Sequence, residues 1–313
     1  MKNFLLPVLS LYLLFSCKEN NKANNNKANP PAEAFNKLWY AGKAEITSYS
    51  LQQARYGEIR DGEATLIFVT EDFLKDKLVK PDNPENHSDK VSVLKLNMTK
   101  KFNTGIYPYS MMLSVFKPIT NDGKENALKV NSSCQEWCGH TFSQLQLKGK
   151  NYQWQLHSYF EEEVEQDSQL DKALLEDELW NHIRINPATL PVGKLKVIPG
   201  LLWQRLSHTN IQSMDAELTL ENADTLQPGA ISLKKYSINY PGINRTLIIY
   251  FNKSFPHEIV GWQETYPDGF GENKKMLTTI AVKKTTIWLD YWKHNKNSDS
   301  IYRDSLQLNR HEQ

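Results

Sequence analysis

The densest group of reactive side-chain types in the 313-residue chain is Cys134-Gln-Glu-Trp-Cys138-Gly-His140. Two thiolates and an imidazole, from Cys134, Cys138 and His140, are donors that suit a transition metal, and Glu136 beside them could serve as a base. The C-x3-C-x-H spacing matches no standard zinc motif, and no second ligand cluster follows at a recognisable distance. A nucleophilic cysteine with His140 as its base is the catalytic alternative. A disulfide between Cys134 and Cys138 is a third reading. Four residues along a strand span about 13 Å, whereas a disulfide needs Cα atoms roughly 4.4–6.8 Å apart, so that bridge requires a turn at 135–137. The purely structural reading puts Trp137 and one cysteine in the core, with Gly139 at a bulge.

Other clusters carry less chemistry. Tyr107, Tyr109, Met111 and Met112 could line an apolar ligand pocket, or simply form a buried strand. The acidic run 161–165 lacks the glycine and spacing of a calcium loop and reads as a solvated face. Phe255-Pro-His257-Glu258 lacks the second histidine of a zinc-protease helix. Asp290 and His294 stand four residues apart, with no serine in a nucleophile-elbow context. No phosphate-binding loop, dinucleotide fingerprint or kinase signature occurs, and the sequence calls for no cofactor.

The elements that must position these residues read as strands. A short helix is expected over 33–40. Strand patterns follow at 45–60 and 64–70, joined by Asp61-Gly62 as a tight turn. Further strands are read at 91–98, 106–116, 128–132, 141–147 and 152–160, with Pro108 marking an edge or bulge. One main helix is expected at about 168–185, with an apolar stripe at Leu170, Leu174, Leu175, Leu179 and Ile183 and a stop at Pro187. Six more strand-like segments lie between 195 and 288. The expected fold class is mainly β: an antiparallel curved sheet or barrel-like half-pipe, as one domain or as two subdomains split near 186–195.

The N-terminal segment says where such a domain would work. One positive charge, an apolar run of about twelve residues and a small residue are the pattern of a secretory signal peptide, and the run is too short to span a bilayer. Leu14-Phe15-Ser16-Cys17 resembles the lipobox of bacterial lipoproteins, which implies removal of 1–16 and acylation of Cys17. Acyl chains contribute about 0.8 kcal/mol per buried CH2, so a multiply acylated cysteine anchors stably. The stretch 17–32 then carries the lipid and a flexible Asn/Lys-rich tether, and 33–313 is the β-rich domain. Lys18-Glu19 is partly similar to the export signals of Bacteroidetes surface lipoproteins. The expected location is the cell envelope, on the outer membrane, facing either the periplasm or the outside.

Without Lys2 the chain holds 36 basic and 36 acidic residues, so no basic field exists for nucleic acid. The stretches AGKAEITSYSLQQARYGEIRDGEA, KKFNTGIYPYSMMLSVF and SCQEWCGHTF resemble a group of uncharacterised predicted lipoproteins from Bacteroidetes. Some of these bear the label of Maf-type septum formation inhibitors, whose S-x-S-P-R-R motif is not present here. The resemblance implies no catalytic residues. Three functions remain open: a non-enzymatic module binding a small-molecule, lipid or protein partner, an envelope enzyme around Glu136, Cys138 and His140, and a structural envelope component. A deep apolar groove without convergent polar groups favours the first. His140 facing a second ligand favours the next, and a filled interior with a large exposed apolar patch favours the last.

Overall fold

A computed structural model describes residues 1, 32–223 and 232–308. Cys17 and the tether lie outside the described residues, as does all of the signal segment except Met1. The strands are β1 (Ala44–Arg55), β2 (Glu58–Leu74), β3 (Lys90–Thr104), β4 (Tyr107–Pro118), β5 (Lys129–Glu136), β6 (Gly139–Lys148), β7 (Asn151–His157) and β8 (Gln166–Asp171). They continue as β9 (Leu174–Leu175), β10 (Gly193–Ile198), β11 (Met214–Ala223), β12 (Leu233–Tyr240), β13 (Arg245–Asn252), β14 (Ile259–Asp268) and β15 (Lys275–Leu289). The α-helices among the described residues are α1 (Ala32–Trp39), α2 (Glu176–Ile185), α3 (Leu201–Ser207) and α4 (Ile301–Ser305).

All fifteen strands form one open, curved sheet in the order β8-β7-β6-β5-β4-β3-β2-β1-β15-β14-β13-β12-β11-β10-β9. Neighbours are antiparallel except β9 and β10. The sheet therefore continues across 186–195, where the sequence suggested a division. Its two edge strands, β8 and β9, are joined by Lys172 and Ala173 alone. Three Cα steps reach at most about 11 Å, so at this point the curled sheet brings its opposite edges close together without pairing them. A sheet this wide leaves a lumen that must be filled or left wet. Here α1, α2 and α3 contribute Phe35, Trp39, Leu179, Trp180, Leu201 and Leu202 to the core inside the curve. Alternation follows from the pleat: in β12, Leu233, Tyr236, Ile238 and Tyr240 are buried and the residues between them less so.

The observed helix α2 begins at Glu176, later than the expected 168. Leu170 and Leu174 fit a helical stripe, but 166–171 hydrogen-bonds to β7, with Leu170 opposite Tyr152. The free edge of β7 supplies partners for the backbone groups that face it, and the remaining groups lie on the open edge of the sheet. The first hairpin also turns elsewhere than expected. Tyr56 and Gly57 take φ of 58° and 75°, the left-handed pair of a primed turn, while Asp61-Gly62 lies inside β2. Gly62 is required by close approach, since a Cβ there would lie 2.2 Å from the Lys101 carbonyl oxygen. Gly62→Ala is expected to destabilise the protein by about 1–3 kcal/mol in a urea midpoint measurement, because backbone must shift to admit the methyl. Pro108 sits in an interior strand, but at the end of β4 beyond Ser110, where pairing with β5 stops.

Every residue of α2 is buried, although the helix carries Glu176, Asp177, Glu178, Asn181, His182 and Arg184. Such a helix is stable inside the sheet only if its charges are partnered. Glu178 accepts from Lys117 at 3.0 Å and from the Ala127 amide at 2.5 Å. Arg184 forks onto both oxygens of Glu45 and donates to Pro256 O at 3.0 Å. Glu176 receives both Nη atoms of Arg245 at 2.6 Å and the Tyr240 hydroxyl at 2.7 Å. These contacts fix the helix in register against β1, β4 and β13.

Candidate functional site

The β5–β6 hairpin separates the residues that the sequence grouped. Cys134 pairs with Thr141 and points inward, fully buried, whereas His140 pairs with Gln135 and is exposed on the other face. Cys138 lies in the turn, exposed, with its amide donating to Glu136 Oε2 at 2.7 Å. Both thiols are free, because one side chain enters the core and the other stands at the hairpin tip. Burial pushes the Cys134 thiol up, and the hydrogen bond and charge of Glu136 push the Cys138 thiol up. Neither is thereby activated as a nucleophile. Among the described residues no three His, Cys, Asp or Glu side chains gather as a metal site. Trp137, which the purely structural reading put in the core, is 67% exposed at the turn, 6.3 Å from the Tyr107 ring.

Tyr107, Tyr109, Met111 and Met112 are likewise divided between the two faces of β4. Tyr109 and Met111 face the interior and are fully buried, Met112 points to the opposite face, and Tyr107 is half-buried. Tyr109 is structural: its hydroxyl receives Arg55 Nη2 at 3.0 Å, and its ring stacks on Phe102 at 4.9 Å.

A small cleft opens instead between β5–β7 and α3, on the inner face of the same hairpin. Strand residues Ser132, Thr141, Ser143 and Trp154 form its floor, and α3 and the residues after it supply Gln204, Arg205, His208 and Asn210. Helix α3 has only seven residues, so almost all its terminal backbone groups need partners from elsewhere. Asp177 Oδ2 accepts from the Leu201 amide at 3.0 Å at its N-terminus. Arg55 Nη1 donates to Leu206 O at 2.5 Å at its C-terminus. The Arg55 charge has the sign that the helix dipole favours at that end. His208 closes the helix in the left-handed conformation, φ 52°.

Arg205 is thus aimed into the cleft from a rigid support. Its side chain is 8% exposed, and its guanidinium lies 4.6 Å over the Phe160 ring. Nη1 lies 3.3 Å from His208 Nε2 and 4.0 Å from Glu163 Oε1. Nε is fully buried and has no hydrogen-bond partner. Glu163, read from sequence as part of a solvated acidic face, is clamped by His208 Nδ1 at 2.6 Å and Ser158 Oγ at 2.6 Å. Burial pushes its carboxyl up, but those hydrogen bonds and the Arg205 charge outweigh this and hold it below the usual range. Glu163 and His208 reproduce the carboxylate–imidazole half of a hydrolytic triad. The outward nitrogen of His208, however, faces a guanidinium where a triad presents a hydroxyl nucleophile.

The cavity measures about 40 Å³, room for roughly three waters in that measure. It opens to solvent past His208 and Asn210, both exposed. Similarity to known proteins supplies no name for this arrangement. No protein-family model matches the chain, and no curated protein or solved structure matches it. Arg205 and His208 were not picked out from sequence, and Glu163 only as part of the acidic run 161–165. The available signal was Pro199-Gly200 followed by leucines at 201, 202 and 206, which marks a short helix able to carry a basic residue inward.

Proposed function

We propose that the protein is a non-catalytic binding module of the cell envelope, tethered to a membrane through Cys17, that takes the hydroxyl-rich end of a neutral small molecule of the saccharide class in the Arg205 cleft. The observation that carries this reading is Arg205, which lines a cavity floored largely by hydroxyl groups and whose buried Nε–H has no hydrogen-bond partner. An unsatisfied buried donor costs about 1–3 kcal/mol, which an acceptor oxygen of a ligand would recover. Arg205 and Glu163 together carry no net charge, which favours a neutral polyol over an anion. Hydroxyls both donate and accept, matching the mixture of Ser132, Thr141, Ser143, Gln204 and Asn210. An acyl-carrier role has less support, because α1, α2 and α3 occupy the inside of the curve where a chain would lie.

The test is calorimetric titration of the domain from residue 33 with glucose, galactose, N-acetylglucosamine and gluconate. Saturable binding of a neutral sugar, weakened at least tenfold by Arg205→Lys, supports the reading, since lysine keeps the charge but has no Nε–H. Binding of gluconate alone, or sugar binding indifferent to Arg205→Lys, contradicts it. The anchor has its own test. Radiolabelled palmitate should be incorporated by the full chain in a bacterial host and not by Cys17→Ser, which should also leave the membrane fraction.

A further inference from the structure

A second cavity lies on the outer face of the sheet. It measures about 460 Å³, within the range of small-molecule sites, and has no part in the Arg205 cleft. Its floor is the stacked pair Phe73 and Phe116, from β2 and β4, with ring centroids 4.7 Å apart. Leu78 and Val79 arch over one side, from the segment after β2 that turns back to pair with Leu74. Tyr291 and Trp292, just beyond β15, form the other wall. Val79 and Trp292 are each nearly half exposed, at 44% and 45%.

Three lysines and one carboxylate surround this apolar floor. Glu71 accepts from Lys95 at 2.7 Å and from Lys80 at 3.5 Å. Lys129, half-buried on β5, donates only to the Leu78 carbonyl at 3.4 Å, and no carboxylate lies within ion-pair distance of it among the described residues. Burial alone pushes its ammonium down, with no opposing charge nearby to hold it up. The groove thus carries two positive charges beyond what Glu71 offsets, one of them on an ammonium lacking an acidic partner. Apolar aromatic walls and an unneutralised cation at one end are complementary to a molecule with an apolar body and an anionic head.

We propose that this groove binds a single-chain anionic amphiphile, its apolar body against Phe73, Phe116 and Trp292 and its anionic head on the Lys129 ammonium. A long-chain carboxylate is the simplest member of that class. The head forms a charge-assisted hydrogen bond to Nζ and the tail covers the rings, so both the charge and the chain contribute.

The test uses the full domain from residue 33 and the probes dodecanoate, dodecyl sulfate below its micellar concentration, and dodecanol, followed by tryptophan fluorescence and calorimetry. Dodecanoate should bind at one equivalent and dodecanol at least tenfold more weakly. Lys129→Met keeps the side chain's length and apolar stem, and should weaken dodecanoate at least tenfold while leaving dodecanol unchanged. Trp292→Ala should weaken both. Lys148→Met, on an exposed hairpin end elsewhere, should change neither, which guards against a general charge effect. Equal binding of dodecanoate and dodecanol, indifference to Lys129→Met, or absence of binding would overturn the proposal. Lys129-dependent binding to phosphatidylglycerol vesicles without binding of monomeric dodecanoate would also overturn it, by assigning the groove to a lipid surface.

Discussion

Arg245→Leu is expected to lower the unfolding free energy by about 3–5 kcal/mol, a large fraction of the roughly 5–15 kcal/mol that a typical domain possesses. Arg245 is fully buried, forks onto both oxygens of Glu176 at 2.6 Å, and reaches Glu264 Oε1 with Nη2 at 2.7 Å and Nε at 3.0 Å. Its guanidinium also lies 4.7 Å over the Trp203 ring. Leucine fills much of the space but leaves two buried carboxylates without their cation, and such carboxylates answer by taking up protons. The loss should therefore be larger at pH 7 than at pH 4. Adding Glu176→Gln to Arg245→Leu should recover part of it, because only one orphaned charge then remains. Urea midpoints of the two variants at the two pH values measure this. A loss below about 1 kcal/mol for Arg245→Leu at pH 7 would mean that α2 is not held by this network.

The second large effect is a cancellation in the pH dependence of stability. Asp177 is pushed up to about 7, chiefly by burial, opposed by the Leu201 amide and reinforced by Glu176. Its folded pKa lies above the unfolded value of 3.8, so between about pH 4 and 7 the native state holds a proton that the unfolded chain has released. Stability then falls as pH rises through that window, by on the order of 4 kcal/mol over about three pKa units. His182 has the opposite sign. Burial, then the Lys117 charge, push it down to about 3 from 6.5, so below about pH 6.5 the unfolded chain binds a proton that the native state refuses. Stability from His182 is lost as pH falls through that window, by a similar amount. The two slopes oppose each other from about pH 4 to 6.5. Relative to the parent, Asp177→Asn should steepen the rise of stability with pH there, and His182→Gln should tilt it the other way. Parallel pH profiles for parent and variants would show that neither group holds its shift.

The mainly β class, the curve and most strand positions were legible because the inward residues of a pleated strand alternate, as Tyr236, Ile238 and Tyr240 do. Turn positions were less legible, because glycine serves two ends. Gly57 supplies a left-handed turn and Gly62 a close approach, and both look alike in sequence. The start of α2 was misplaced because Leu170 fits a helical stripe and a strand equally well, and only the waiting edge of β7 decides between them. The site itself was least legible. Cys134 and His140 are neighbours in sequence but face opposite sides of the sheet. Arg205, Glu163 and Cys134 meet only because α3 is carried back against β5 and the loop after β7.

The measurement closest to the central claim is the side-chain 15N–1H resonance of Arg205 Nε in the domain from residue 33, assigned by its disappearance in Arg205→Lys. A neutral saccharide is expected to move this resonance in a saturable way, as the buried donor gains an acceptor, while the other arginine Nε signals stay in place. A resonance that remains fixed while a sugar binds, or that moves only when an anion is added, would contradict it.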